Sequence, residues 1–186
     1  MKTEKQKMLS GELYNASDKK LTEERLNTRL LLKKINDLAE TEEETKNRLL
    51  EKLIPKKGKK LFIQTPFYCD YGTNIELGED VYFNFNCVIL DVMKVIIGSR
   101  TLIGPNVQIY TATHPMNYKE RSSGLEFAKA ISIGEDVWIG GGVIICPGIT
   151  IGDRTIIGAG SVVTKDIPSD MFAAGNPCKV IRKLEK

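Results

Sequence analysis

From Ile133 to Pro168 the chain repeats every six residues: IGEDVW, IGGGVI, ICPGIT, IGDRTI, IGAGSV, VTKDIP. Each hexad opens on an aliphatic residue: Ile133, Ile139, Ile145, Ile151, Ile157 or Val163. Gly usually follows the opener, and a small or β-branched residue stands four places after it. Repetition this strict constrains the fold more than local propensity does. The i, i+4 spacing also fits one face of a helix. Recurrent Gly, however, costs a helix about 1 kcal/mol per residue against Ala, and Pro147 costs more. Ile and Val are stiff at χ1 and suit strands. Period six therefore predicts a solenoid of short strands. The opener points into the coil, the small residue packs beside it, and Gly eases the bend between flat faces.

An imperfect version of the same pattern precedes this run. Openers fall at Leu77 (LGEDVY), Phe83 (FNFNCV), Ile89, Ile97 (IGSRTL), Ile103 (IGPNVQ) and Ile109 (IYTATH). Ile89 and Ile97 are eight residues apart, so two extra residues bulge out near Val92–Lys94. After His114 the pattern gives way to PMNYKERSSGLEFAKA, read as an extruded loop over 115–130. The frame resumes at Ile133, 24 residues after Ile109, a whole number of hexads. The loop thus replaces part of a coil without shifting its register.

Residues 1–60 are rich in Lys, Glu and Leu and predict a helical segment. One short helix is expected over Glu4–Leu9. A second is expected from a Thr22 cap, with Leu26, Leu30, Leu31, Ile35 and Leu38 on one face. A third opens on a Thr41/Glu44 capping box, carries Leu49, Leu50 and Leu53, and stops at Pro55 and Gly58. Residues 61–168 form the solenoid. Residues 169–186 are expected to close its open end, with VIRKL as a strand or a helical turn.

The net charge of +3 argues for neither nucleic acid nor a bilayer surface. No apolar run reaches the length of a membrane span, and MKTEKQKMLS has no signal-peptide core. The cytoplasm is the expected location. The four cysteines show no CxxC and read as reduced thiols, Cys87 and Cys146 serving as packing.

The pattern aliphatic–Gly–x–x–small–x resembles that of the hexapeptide-repeat acyltransferases. SGELYNASDKKLTEER resembles the N-terminal segment of maltose and galactoside O-acetyltransferases, where it contributes to the sugar pocket. The resemblance implies a mainly β fold, a left-handed parallel β-helix with three hexads per turn. It implies acetyl transfer from acetyl-CoA to a sugar hydroxyl of maltose, glucose or galactoside type, in a homotrimer with sites between subunits and no metal. Two alternatives stay open: an acetyltransferase for an antibiotic such as chloramphenicol or another small hydroxyl acceptor, and a catalytically silent binding solenoid. A zinc carbonic anhydrase of this superfamily needs three histidines per metal, and the chain has one.

That one is His114, followed by Pro115 where the loop leaves the coil. A lone His is usually structural or solvated, but transfer to an alcohol needs a base, and imidazole suits that task. His114 matches the family's catalytic histidine. Asn84, in VYFNFN, matches the asparagine that stabilises the transition state and contacts the acceptor; its other reading is a turn-holding amide. Asn86 reads as a core or corner amide.

Tyr82 matches a pocket tyrosine of the galactoside enzyme. Asp70 stands where that enzyme has an acceptor-contacting Ser. Asp91 matches the first Asp of an Asp-Asp pair whose acceptor-binding second member is Val92 here. Ala16 replaces another acceptor-binding Asp, with Asp18 as a possible substitute. Glu126 and Phe127 could close the pocket from the loop. Trp138 points outward and marks a subunit contact or, by resemblance, a pocket wall. Coenzyme A is expected beside the small residues Gly141 and Ala159. Its nucleotide end is expected near Thr164, Lys165, Lys179 and Arg182, where cations meet phosphates. Lys179 replaces an Arg and loses the bidentate fork.

Overall fold

A computed structural model of the chain describes residues 1–185. Its body is a left-handed parallel β-helix of about six turns. The strands stack into three sheets, the sides of a triangular prism. The first side stacks Lys56–Lys57, Ile75–Leu77, Val95–Ile97, Ile131–Ile133 and Thr150–Ile151. The second stacks Phe62–Ile63, Tyr82–Phe83, Leu102–Ile103, Trp138–Ile139, Ile156–Ile157 and Met171–Ala174. The third stacks Phe67–Cys69, Cys87–Leu90, Gln108–Tyr110, Ile144–Ile145 and Val162–Val163.

Opener lies on opener. Ile63, Phe83, Ile103, Ile139 and Ile157 pair in sequence up the second side. Every opener from Leu77 to Val163 is buried, and so are the residues four places on, Val137 to Ile167. Together they form one core running the length of the prism. Each such Ile contributes roughly 1.5–3 kcal/mol by leaving water. The polar members are satisfied internally: Thr155 Oγ1 donates to the Pro168 carbonyl at 2.8 Å, and Gly175 N donates to Ser161 Oγ at 3.0 Å.

The corners differ in chemistry. At the first corner, between the first and second sides, Lys60, Asp80, Arg100, Asp136, Arg154 and Asp170 all have positive φ. At the second corner the same conformation falls on Asn86, Asn106, Gly142 and Gly160. The third corner, between the third and first sides, carries the irregularities. The bulge expected near Val92–Lys94 lies there, between the strands ending at Leu90 and starting at Val95, and Asp70–Asn74 repeats it one turn earlier. The extruded loop leaves the same corner. Register survives it, since Ile109 pairs with Ile145 and Ile97 with Ile133.

Three helices precede the prism: α1 (Glu4–Leu9), α2 (Lys19–Asn36) and α3 (Glu43–Leu53). Two expected caps are corrected. Asp18, not Thr22, caps α2, its Oδ1 accepting from Lys20 N and Leu21 N at 3.1 and 3.3 Å. The Thr41 capping box does not form; Glu42 is the N-cap of α3 and makes no side-chain cap bond. The face of α2 that packs is Leu21, Thr28, Leu32 and Ile35, whereas Leu26 and Leu30 stay 55% and 54% exposed. The loop has structure of its own. It contains α4 (Tyr118–Ser122) and a strand, Leu125–Ala128, which pairs antiparallel with Ala112–Thr113 on one edge and Tyr14–Asn15 on the other. At the C-terminal end VIRKL belongs to a strand, Lys179–Lys183, folded back antiparallel on Met171–Ala174.

Candidate active site

The third corner is built by five segments meeting: α2, the Tyr14–Asn15 strand, the two bulges and the loop. A small second core of Met8, Tyr14, Leu21, Tyr71, Val92 and Ala128 seals them together. Arg25 of α2 donates from Nη1 to the Tyr71 hydroxyl at 2.7 Å and from Nη2 to the Ala16 carbonyl at 2.6 Å. Its guanidinium also lies 5.8 Å from the Tyr71 ring centre. Thr28 Oγ1 donates to the Tyr71 carbonyl at 3.1 Å. These bonds seat α2 on the bulge rather than leaving it a loose appendage.

Tyr14 OH donates to Glu126 Oε2 at 2.9 Å, tying the N-terminal strand to the loop. Burial, with that carboxylate beside it, raises the Tyr14 phenol well above its ordinary pKa. Asp70 is half-buried on the first bulge. Burial pushes its carboxyl upward, with Glu126 adding to the push, while Arg25 and Arg29 oppose it. His114 follows the Ala112–Thr113 strand at the mouth of this corner. Its imidazole is exposed and hydrogen-bonds to no other described residue.

Asp91 does not stand where an acceptor could touch it. The expected contact is corrected: the side chain is fully buried, and its Oδ1 accepts from Asp70 N and Tyr71 N, both at 2.9 Å. Val92 lies in the second core. Asp18 is engaged as a helix cap.

The second corner holds a different set. Asn84 is half-buried there; its Oδ1 accepts from Phe85 N at 2.8 Å, leaving its amide NH2 without a partner among the described residues. Tyr82 stacks on Phe62 at 5.6 Å with the rings 6° apart. Trp138 is outward and 54% exposed, in register with Leu102 and so in one row with Tyr82. Gly141 and Ala159 turn this corner on successive coils, and Gly160 N donates to the Gly141 carbonyl at 2.9 Å. The corner is open here: a Cβ on Gly160 would meet nothing within 4 Å. Asn86 is an exposed corner amide, not a core one. Lys179 and Arg182 lie on the last strand, and Arg182 covers the Phe172 ring at 5.9 Å. Thr164 and Lys165 are exposed after Val163, back at the third corner.

One chain therefore divides the expected site. Asp70, His114 and Glu126 lie at the third corner, and Thr164 and Lys165 lie further along the same corner, after the last strand of the third side. Tyr82, Asn84, Trp138, Gly141 and Ala159 gather on the second side and its corner. The third side lies between, roughly 15–20 Å wide at about 3.3 Å per residue. Tyr14, Arg25 and Tyr71 also belong to the third corner and were not singled out from the sequence. The visible signal was position: Tyr14 and Arg25 lie inside SGELYNASDKKLTEER, and Tyr71 adjoins Asp70.

Comparison with known proteins yields two family matches. Residues 7–58 match the maltose acetyltransferase hexapeptide capping motif, and residues 130–165 match the bacterial transferase hexapeptide (six repeats). A galactoside O-acetyltransferase of Lactococcus lactis subsp. lactis is 43% identical over 174 residues, 93% of this chain and 84% of that protein. The crystal structure of a maltose O-acetyltransferase from Clostridium difficile 630 superposes with a TM-score of 0.98 at 50% identity, covering 100% of this chain and 99% of that one. A galactoside acetyltransferase solved in complex with coenzyme A superposes with a TM-score of 0.96 at 38% identity, covering 100% and 92%.

Proposed function

The chain belongs to the hexapeptide-repeat acetyltransferases, in the group marked by the maltose acetyltransferase capping motif, and from that membership we propose that it moves an acetyl group from acetyl-CoA to a hydroxyl of a maltose-, glucose- or galactoside-type sugar. The observation that carries this reading is the exposed imidazole of His114 at the mouth of a polar corner walled by the capping-motif helices. The coenzyme A held by a structural relative supports acetyl-CoA as the donor.

In the proposed reaction, His114 takes the proton of the acceptor hydroxyl as its oxygen attacks the thioester carbonyl. Asp70 and Glu126 contact the acceptor. The tetrahedral oxyanion accepts from the Asn84 amide NH2, which acts without titrating. The carbon–sulfur bond then breaks, and His114 returns the proton to the thiolate. The products are an acetyl ester and coenzyme A. The pantetheine arm runs along Gly141 and Ala159, and Thr164, Lys165, Lys179 and Arg182 meet the nucleotide phosphates.

The same geometry supports an assembly of several copies. His114 and Asn84 stand at different corners, so a site using both draws them from two copies. The second and third sides expose Phe62, Tyr68, Leu102 and Trp138. The outward residues of the first side are mostly polar: Lys56, Glu76, Ser132 and Thr150. An apolar pair of sides on a prism suits a closed ring of copies, here a homotrimer with sites between subunits.

The test is thiol release from acetyl-CoA with a panel of sugars and chloramphenicol, for wild type and His114→Ala. Sugar-dependent release, lowered about 100- to 10,000-fold in the variant, supports the reading. Release with chloramphenicol alone, or with no acceptor, overturns the sugar assignment.

A further inference from the structure

Asp91 is the one fully buried carboxylate among the described residues. Its Oδ2 is buried with no hydrogen-bond partner. Burying a carboxyl group with one oxygen unpaired is costly, so the position calls for a role that offsets the cost. The neighbouring turn makes the comparison. Residues 71, 91 and 111 occupy one column of the third corner, each two places past its opener. Thr111 is also fully buried; its Oγ1 donates to the Leu90 carbonyl at 2.6 Å and accepts from Met93 N at 3.0 Å. A neutral hydroxyl suffices to pin that bulge.

One turn earlier the corresponding job falls to the Asp91 carboxylate, which accepts two backbone N–H groups, those of Asp70 and Tyr71. The Asp91 carbonyl accepts in turn from Asn74 Nδ2 at 2.7 Å, closing the bulge from its other end. The result is a ladder. Thr111, three residues before His114, fixes the Asp91 bulge; Asp91 fixes the Asp70 bulge.

We propose that Asp91 is a positioning residue that sets where Asp70 stands relative to His114, and so governs capture of the acceptor. This rests on the acceptor lying between Asp70 and His114, as in the reading above. The carboxyl group takes both N–H bonds on Oδ1, whereas an amide of the same shape would set two N–H donors at the position of Oδ2, which has no hydrogen-bond partner.

The experiment is steady-state kinetics of the full-length wild type, Asp91→Asn and Asn74→Ala, varying sugar and acetyl-CoA separately. Asp91→Asn is expected to raise the sugar KM about ten-fold while the acetyl-CoA KM stays within about two-fold. Asn74→Ala loses the donor to the Asp91 carbonyl and is expected to shift the sugar KM the same way by less. It carries the test if Asp91→Asn does not fold. A fall in kcat with both KM values unchanged marks a merely structural role and overturns the inference. So does a sugar KM in both variants within about two-fold of wild type. A wild type that acetylates no sugar overturns the parent reading and this inference with it.

Discussion

Arg100 grips Asp136 across 36 residues of chain, its Nε donating to Oδ1 at 2.6 Å and its Nη2 to Oδ2 at 2.8 Å. The pair is part of a column. Down the first corner the positive-φ residues read Lys60, Asp80, Arg100, Asp136, Arg154, Asp170, with the sign of charge alternating at every step. Lys60 reaches Asp80 at 3.5 Å, and Arg154 bonds Asp170 at 2.6 Å. The left-handed conformation disfavours any residue with a Cβ, and the alternating charges offset that strain. Arg100→Glu would set three acids in a row, Asp80, Glu and Asp136. It is expected to lower Tm by about 2–5 °C in low salt and by less near 1 M salt, where screening shortens to about 3 Å. A loss of Tm independent of salt would show that the column does not act through charge.

A second expectation concerns pH and Asp91. Burial, with the charge of Asp70 adding to it, pushes its carboxyl up to about 7, against the pull of the N–H bonds from Tyr71 and Asp70. The folded chain therefore holds this proton between the ordinary value of 3.8 and about 7, where the unfolded chain has lost it. Stability falls as pH rises through that window, and the loss is complete above it. At about 1.4 kcal/mol per pKa unit the span is a few kcal/mol. Thermal melts from about pH 4 to pH 8 should show a decline in the wild type that Asp91→Asn lacks. Parallel slopes in the two proteins would sink the assignment.

The hexad run was legible because the period fixes phase. Once Ile133 points inward, Ile139 through Val163 must follow, and the loop of whole hexads hands the same phase back to Ile109. Where the period breaks, phase is lost. Asp91 sits in such a break, so nothing local distinguishes a pocket carboxylate from a buried one; only its bonds to Asp70 N and Tyr71 N do. The start of α2 was ambiguous for another reason. Asp18 and Thr22 are both good caps, and the choice falls to tertiary contacts, with Leu21 docking in the second core and Thr28 on Tyr71. The His114 and Asn84 motifs were visible, but not that they occupy different corners, because the corner a residue takes depends on counting turns through the bulges.

A third expectation tests the path of the coenzyme arm. Ala159 and Gly160 are exposed on the open second corner. Ala159 is absent from the buried core of its own chain, so a larger side chain there changes the corner's outer surface. Ala159→Leu is expected to raise the acetyl-CoA KM about ten-fold, with the sugar KM and Tm close to wild type. An unchanged acetyl-CoA KM would place the arm elsewhere on the prism.

The last expectation concerns the division of the site between copies. His114→Ala and Asn84→Ala should each be nearly inactive, since loss of a base or of an oxyanion donor costs about 100-fold or more. The two inactive chains, co-expressed and purified together with two different tags, form mixed oligomers. An interface is then competent when the copy giving the His114 side carries the Asn84 change and its neighbour carries the His114 change. With equal, random mixing that is about one interface in four, so activity should return to about a quarter of wild type. Sites complete within one chain would recover nothing, because every chain in the mixture lacks one of the two groups. Recovery that tracks the fraction of doubly tagged oligomer assigns the two corners to different copies.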